Sequence, residues 1–234
     1  MNGEDLQSSV LWQLGPLQVT ETVVTTWCIT AALALICWLL TRRLSEDPGR
    51  GQAMLEGVVG VMEKTIADSV PGAAGTLLPF IGTLWIFLVV ANLAGLIPGV
   101  HSPTRDLSTT SALALLVFLS THWFGIRDQG LKNYLKHYLS PTPVMMPMHI
   151  ISEITRTVAL AVRLFGNMMS LEMTALLVLV VAGFLAPVPI LMLHVVEALV
   201  QAWIFGMLAM LYIAGGIRVR EPAPPDSSQG ASNA

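Results

Sequence analysis

The feature that most restricts what this chain can fold into is an apolar run too long for any globular core. From Pro143 to Leu185 the sequence is about forty residues of mainly aliphatic character. A helix needs about 20 apolar residues to cross about 30 Å of hydrocarbon. Val23–Leu40 and Thr76–Ile97 meet that length, and Ser111–Ile126 meets it at the short end. Pro189–Ile217 forms a fifth candidate, parted from the fourth by the break Pro187–Val188–Pro189. As one helix the fourth segment measures roughly 60 Å at 1.5 Å per residue, about twice the membrane thickness. It either breaks or runs steeply inclined, because ordinary tilt does not absorb a twofold excess. Composition agrees: 54% of residues are hydrophobic, 12% are charged, and the mean hydropathy is +0.68. A soluble domain carries about a quarter charged residues. The pattern excludes a soluble enzyme, a disordered tail and a disulfide scaffold, and it predicts an all-α membrane protein of about five transmembrane helices.

Charge along the chain predicts the orientation. Arg42, Arg43, Arg50 and Lys64 fall between spans one and two, Arg127, Lys132 and Lys136 between three and four, and Arg218 and Arg220 after five. Nine of the 12 Lys and Arg thus lie on one side of a five-span chain, with Arg105 alone opposite and Arg156 and Arg163 inside span four. Positive charge marks the cytoplasmic side, which places the N-terminus outside and the C-terminus in the cytoplasm. The expected organisation is an extracytoplasmic tail over 1–20, one transmembrane domain over 21–217 and a disordered cytoplasmic tail over 218–234. Glu4 and Asp5 open the chain without a Lys or Arg ahead of an apolar core, so no cleaved signal peptide is expected. Cys28 and Cys37 lie nine residues apart on opposite helix faces, which excludes a bond between them. In the first cytoplasmic loop Leu55, Val58, Val59, Met62 and Ile66 recur at helical spacing, predicting an amphipathic helix. It lies on the membrane surface or docks against neighbouring protein.

The chemistry resides in the intramembrane charges. His149, Glu153, Arg156, Arg163 and Glu172 fall in span four, and His194 and Glu197 in span five. Each ionisable group costs on the order of 2.5–3.5 kcal/mol to insert, so such groups face one another or water-filled cavities. Around Arg163, Arg156, Asn167, Ser170 and Thr174 lie within about 40° on the helical wheel, a narrow polar stripe. Arginine keeps its charge at any physiological pH. No carboxylate stands at i±3 or i±4, so Arg163 pairs with Glu153 or Glu172 elsewhere, or it faces a partner that brings its own carboxylate. His194, Glu197 and Gln201 share one face within about 60°. Glu172, His194 and Glu197 are expected nearer the outer surface, and His149 and Glu153 nearer the cytoplasm. Two titratable groups separated by a permanent cation suit two offset half-channels; a purely structural polar network is the competing reading.

The strings RLFGN at Arg163–Asn167, LPFIGTLWIFLVVANLAGLIPG at Leu78–Gly99 and PTRDLSTTSALALLVF at Pro103–Phe118 together resemble subunit a of the F-type ATP synthases. The resemblance spans roughly Val19 to Ile217. It implies that the fourth and fifth spans form a long, steeply inclined hairpin against a rotating ring of c subunits. It implies that Arg163 is the stator arginine facing that ring. Asn167, Glu172, His194 and Gln201 fall where the family lines its outer half-channel, with Glu197 on the same face and Asp106 near the mouth. Glu153 falls where the inner half-channel begins. Three positions depart from the family pattern: His149 stands in place of a frequent second Glu, Thr157 in place of Pro, and Leu171 in place of a small residue.

The implied activity is proton translocation coupled to ring rotation. An ion neutralises a rotor carboxylate, which then faces lipid cheaply. The bare carboxylate is later drawn to Arg163. The alternatives are the same subunit in a Na+-translocating complex, or an unrelated secondary transporter; the latter commonly shows internal repeats, and none occurs here. The implied partners are the c ring, the peripheral-stalk b subunits, the rest of the complex and the lipid bilayer of a bacterial plasma (inner) membrane. No nucleic-acid partner, cofactor or metal is expected. The sequence holds no glycine-rich phosphate loop, so the chain is not expected to catalyse chemistry alone.

Overall fold

The computed structural model describes residues 10–14, 17–42, 50–97, 102–130, 145–183 and 188–217. Two short strands, β1 (Val10–Leu14) and β2 (Leu17–Thr20), pair antiparallel ahead of the first helix. The sequence reading had only a tail there. Six α-helices follow: α1 (Glu21–Thr41), α2 (Arg50–Ser69), α3 (Ala74–Ala94), α4 (Leu107–Gln129), α5 (Met145–Ala182) and α6 (Val188–Gly216). A 3-10 turn, Pro103–Arg105, precedes α4. All except α2 are long and apolar enough to cross a bilayer, so the architecture is the expected all-α membrane protein of five candidate spans. The segment holding Lys132 and Lys136, the break at Pro187, the first nine residues and the tail from Arg218 lie outside the described residues.

Span four does not break. α5 runs 38 residues without interruption, about 57 Å at 1.5 Å per residue. It stops at Gly183, whose φ of 81° is a left-handed conformation that a side chain would strain.

α3 packs extensively against α6, as α4 does against α5. α6 presents Ala202, Gly206 and Ala209, all buried, and these small residues let the two backbones approach closely. The Trp85 ring of α3 fills the space over Gly206 and stacks on Trp203, with centroids 5.0 Å apart and planes 2° apart. Around this crossing one core joins Leu77, Ile81 and Leu88 of α3, Phe205 and Ile213 of α6, Val117 of α4 and Leu160 and Leu164 of α5. α2 docks through its C-terminal half, where half-buried Met62 packs against that core and Ile66 joins it together with Val70 just beyond the helix. Met54, Val58 and Val61 stay exposed. The docking reading therefore holds for the C-terminal half of the helix, and the partner is the chain itself.

The outer faces are apolar. Trp27, Leu177 and Val181 are among the exposed large side chains, an arrangement suited to lipid rather than water. α1 hides its hydroxyls from hydrocarbon by turning Thr25, Thr26, Thr30 and Thr41 onto carbonyls one turn back.

Candidate functional site

A buried polar knot joins α3, the 3-10 turn and α6. Asn92 is an amide in the long apolar stretch of α3, and it is fully buried. Its Nδ2 donates to the Ala198 carbonyl of α6 at 3.2 Å, and its Oδ1 accepts from the Thr104 hydroxyl at 2.8 Å. Ser102 donates to the Ala91 carbonyl at 2.9 Å and lies 2.7 Å from Thr104 Oγ1. His194, only 6% exposed, brings Nε2 to 3.4 Å from the Asn92 carbonyl. These bonds convert a polar cost in an apolar layer into a fixed relation between the turn and α6.

Two turns along α6 from His194, Gln201 is 2% exposed, and its Oε1 accepts from Asn167 Nδ2 of α5 at 2.8 Å. Gln201 Nε2 is buried with no hydrogen-bond partner among the described residues. The predicted α6 face is thus real at His194 and Gln201, while Glu197 is only half-buried. Asn167 belongs to the α5 stripe, so this bond ties the stripe to the α6 polar face.

Arg163 stands in the middle of that stripe, exposed, and without an ion pair or hydrogen bond among the described residues. Of the two expectations for it, pairing with Glu153 or Glu172 is not what the fold does. Glu172 points the other way, as its place about 180° around the helix requires, and is bonded to Arg105 Nη1 at 2.6 Å. Arg163 is thus a permanent charge on the exposed polar stripe of a helix whose other exposed positions, Val158 and Val162 among them, are apolar.

The 3-10 turn, the start of α1 and the C-terminal half of α5 line an open cavity of ≈ 220 Å³. Glu21, Thr22 and Thr25 of α1, Arg105 and Asp106 of the turn, and Met169 of α5 are among its lining residues. Asp106 also caps α4, its Oδ1 accepting from the Ser108 N–H at 3.0 Å.

Toward the other end of α5, Glu153 is half-buried and lines a much smaller cavity of ≈ 10 Å³ with Arg156, Thr157 and Tyr212. The Arg156 guanidinium lies 4.3 Å from the centre of the Tyr212 ring, a cation–π contact. His149 is exposed one turn earlier. The structure therefore brings Asn167 to Gln201 and His194 to the Asn92 knot. Asp106 lies beside Arg105 at the cavity, and Glu153 and His149 remain apart from all of these.

Three participants escaped the sequence reading. Asn92 was visible as an amide inside an apolar run, Arg105 as the lone cation on its side, and Thr104 had no distinguishing signal. Each acts through a partner 12 or more residues away.

Comparison with known proteins agrees with this arrangement. The profile of the ATP synthase A chain family matches residues 23–214. The chain is 64% identical to ATP synthase subunit a 1 of Hahella chejuensis over 222 residues, covering 94% of each chain. It is 63% identical to ATP synthase subunit a 2 of Pelobacter propionicus over 214 residues, covering 92% of this chain and 94% of the relative. It is 52% identical to ATP synthase subunit a of Legionella pneumophila strain Paris over 222 residues, covering 94% of this chain and 96% of the relative. With five helices of membrane-spanning length and this match over most of its length, the chain belongs to the ATP synthase A chain family, the non-catalytic ion-channel subunits of the membrane sector.

Proposed function

We propose that this chain carries protons between two offset half-channels and couples their passage to rotation of a ring of c subunits, with Arg163 as the stator charge. The observation that carries the reading is Arg163 itself: a fixed cation in mid-helix, exposed on the polar stripe of an otherwise apolar helix surface and unpaired among the described residues. A charge so placed is tolerable in a bilayer if the facing partner supplies a carboxylate. A bare rotor carboxylate is attracted to it, and a neutralised one is not. Arg163 also repels cations that would leak between the half-channels.

In this reading the outer half-channel begins at the cavity beside Asp106 and continues past Glu172, His194, Glu197, Asn167 and Gln201. The inner one begins at Glu153 and His149. The N-terminus is outside and the C-terminus cytoplasmic, in a bacterial plasma membrane, with residues 21–217 as a single membrane domain. α5 and α6 form the inclined hairpin against the ring, and peripheral-stalk b subunits hold the chain still. The driving force is about 2.3 kcal/mol per charge per 100 mV.

A sodium-carrying motor is the second reading. The cavity wall offers carboxylate and hydroxyl oxygens from Glu21, Thr22, Thr25 and Asp106, the donor type a hard cation prefers. ATP-driven pumping by the purified complex in sealed vesicles, read by pH and Na+ together, separates them. Lumen acidification without Na+, abolished by a protonophore, supports protons; Na+ uptake that persists with protonophore replaces them. Arg163→Ala is expected to abolish coupled transport in either case. Arg163→Lys is expected to fail as well, because a point charge lacks the planar fork. Ion-driven ATP synthesis retained by Arg163→Ala overturns the mechanism.

A further inference from the structure

We propose that Arg105 is a gating residue of the access path at the 3-10 turn: its guanidinium holds Glu172 and must leave it each time a cation passes toward α5. The inference rests on the translocation reading above and goes beyond it by assigning a role to a residue outside the predicted set.

The pair is short and partly sheltered, with Arg105 Nη1 2.6 Å from Glu172 Oε1 and side-chain exposures of 19% and 23%. It joins residues 67 positions apart, from the turn before α4 to the C-terminal half of α5. Arg105 also forms part of the wall of the ≈ 220 Å³ cavity, which the carboxylates of Glu21 and Asp106 line as well. Three carboxylates against one guanidinium leave this region negative, which concentrates cations there. A cation that enters reaches Glu172 only where a permanent cation already sits. Arginine cannot clear the way by losing a proton, so the way clears by movement of the side chain. Asp106 and Glu21 line the same cavity as Arg105, so a guanidinium that leaves Glu172 stays beside carboxylates. A gate requires that a second position of the guanidinium, turned into the cavity, be populated beside the one on Glu172 seen here.

A clamp that only fastened the turn to α5 would use the same bond, and kinetics distinguish the two. The test uses the complete complex in sealed vesicles, making ATP under an imposed potential, with protons and Na+ varied separately on each side. Arg105→Gln leaves Glu172 uncompensated. It is expected to lower the half-saturating cation concentration on the turn side by about tenfold, leaving the opposite side unchanged. Arg105→Lys keeps the charge on a single-point donor and is expected to shift it about threefold in the same direction. A reduced maximal rate with unaltered half-saturation in both variants identifies a clamp and overturns the gate. If the Gln variant does not assemble, Lys decides alone, and unaltered half-saturation there overturns the gate too. Failure of the unmodified complex to couple ion flow to ATP synthesis would sink the translocation reading, a different result from variants that transport normally.

Discussion

Gly206→Ala tests the crossing that holds the polar site in register. A Cβ at position 206 would lie 1.8 Å from Trp85 Nε1, 2.2 Å from its Cδ1 and 2.6 Å from its Cε2. Ordinary carbon contacts begin near 3.5 Å, so the ring must retreat by roughly 1.7 Å. Retreat on that scale breaks the stack on Trp203 and the 3.3 Å bond from Trp85 Nε1 to the Trp203 carbonyl. Overpacking of a dense core typically costs about 1–3 kcal/mol, and the lost aromatic pair adds about 0.5–1.5 kcal/mol. Helix propensity works the other way, since Ala is favoured over Gly by about 1 kcal/mol. The net expectation is destabilisation of about 1–3 kcal/mol, with α6 displaced so that His194 and Gln201 lose Asn92 and Asn167. The assay is the thermal midpoint of the purified complex in detergent, with coupled ATP synthesis measured alongside. Trp85→Leu/Gly206→Ala is expected to recover much of the loss, because the double variant removes the clash. A higher midpoint for Gly206→Ala alone would refute the close approach, since propensity would then be the only term acting.

Asn92→Ala removes a buried donor and acceptor at once, leaving the Ala198 carbonyl and Thr104 hydroxyl short of a partner. The expected cost is about 1–2 kcal/mol, read as a lower thermal midpoint and faster proteolysis near Arg105; an unchanged midpoint would show that the knot contributes nothing. Tyr212→Leu frees Arg156, a second cation on the Arg163 stripe, to compete for a rotor carboxylate. Coupled ATP synthesis per assembled complex is expected to fall several-fold, with Tyr212→Phe near the unmodified rate because the ring remains; equal loss in both would remove the stacking contact from the account. The Arg163 and Arg105 variants complete the set.

The span count, the continuous polar stripe on α5 and the apolar outer faces were legible in the chain itself. They follow from two local rules: the length needed to cross hydrocarbon and the 3.6-residue period of a helix. The face shared by His194 and Gln201 was legible for the same reason. Spacing also placed Glu172 away from Arg163, but it could not say which cation would take it. That choice lay with Arg105, 67 residues earlier, and depended on the 3-10 turn reaching the side of α5. Likewise a wheel cannot show that Asn167 meets Gln201, because two helix faces meet only once a crossing point and rotation are set. Here the α3–α6 crossing is set by Trp85 seated on Gly206, a contact between residues 121 positions apart in number, each unremarkable in its own segment. Local periodicity decides which side chains share a face. Only packing, through such long-range contacts, decides which faces share a site.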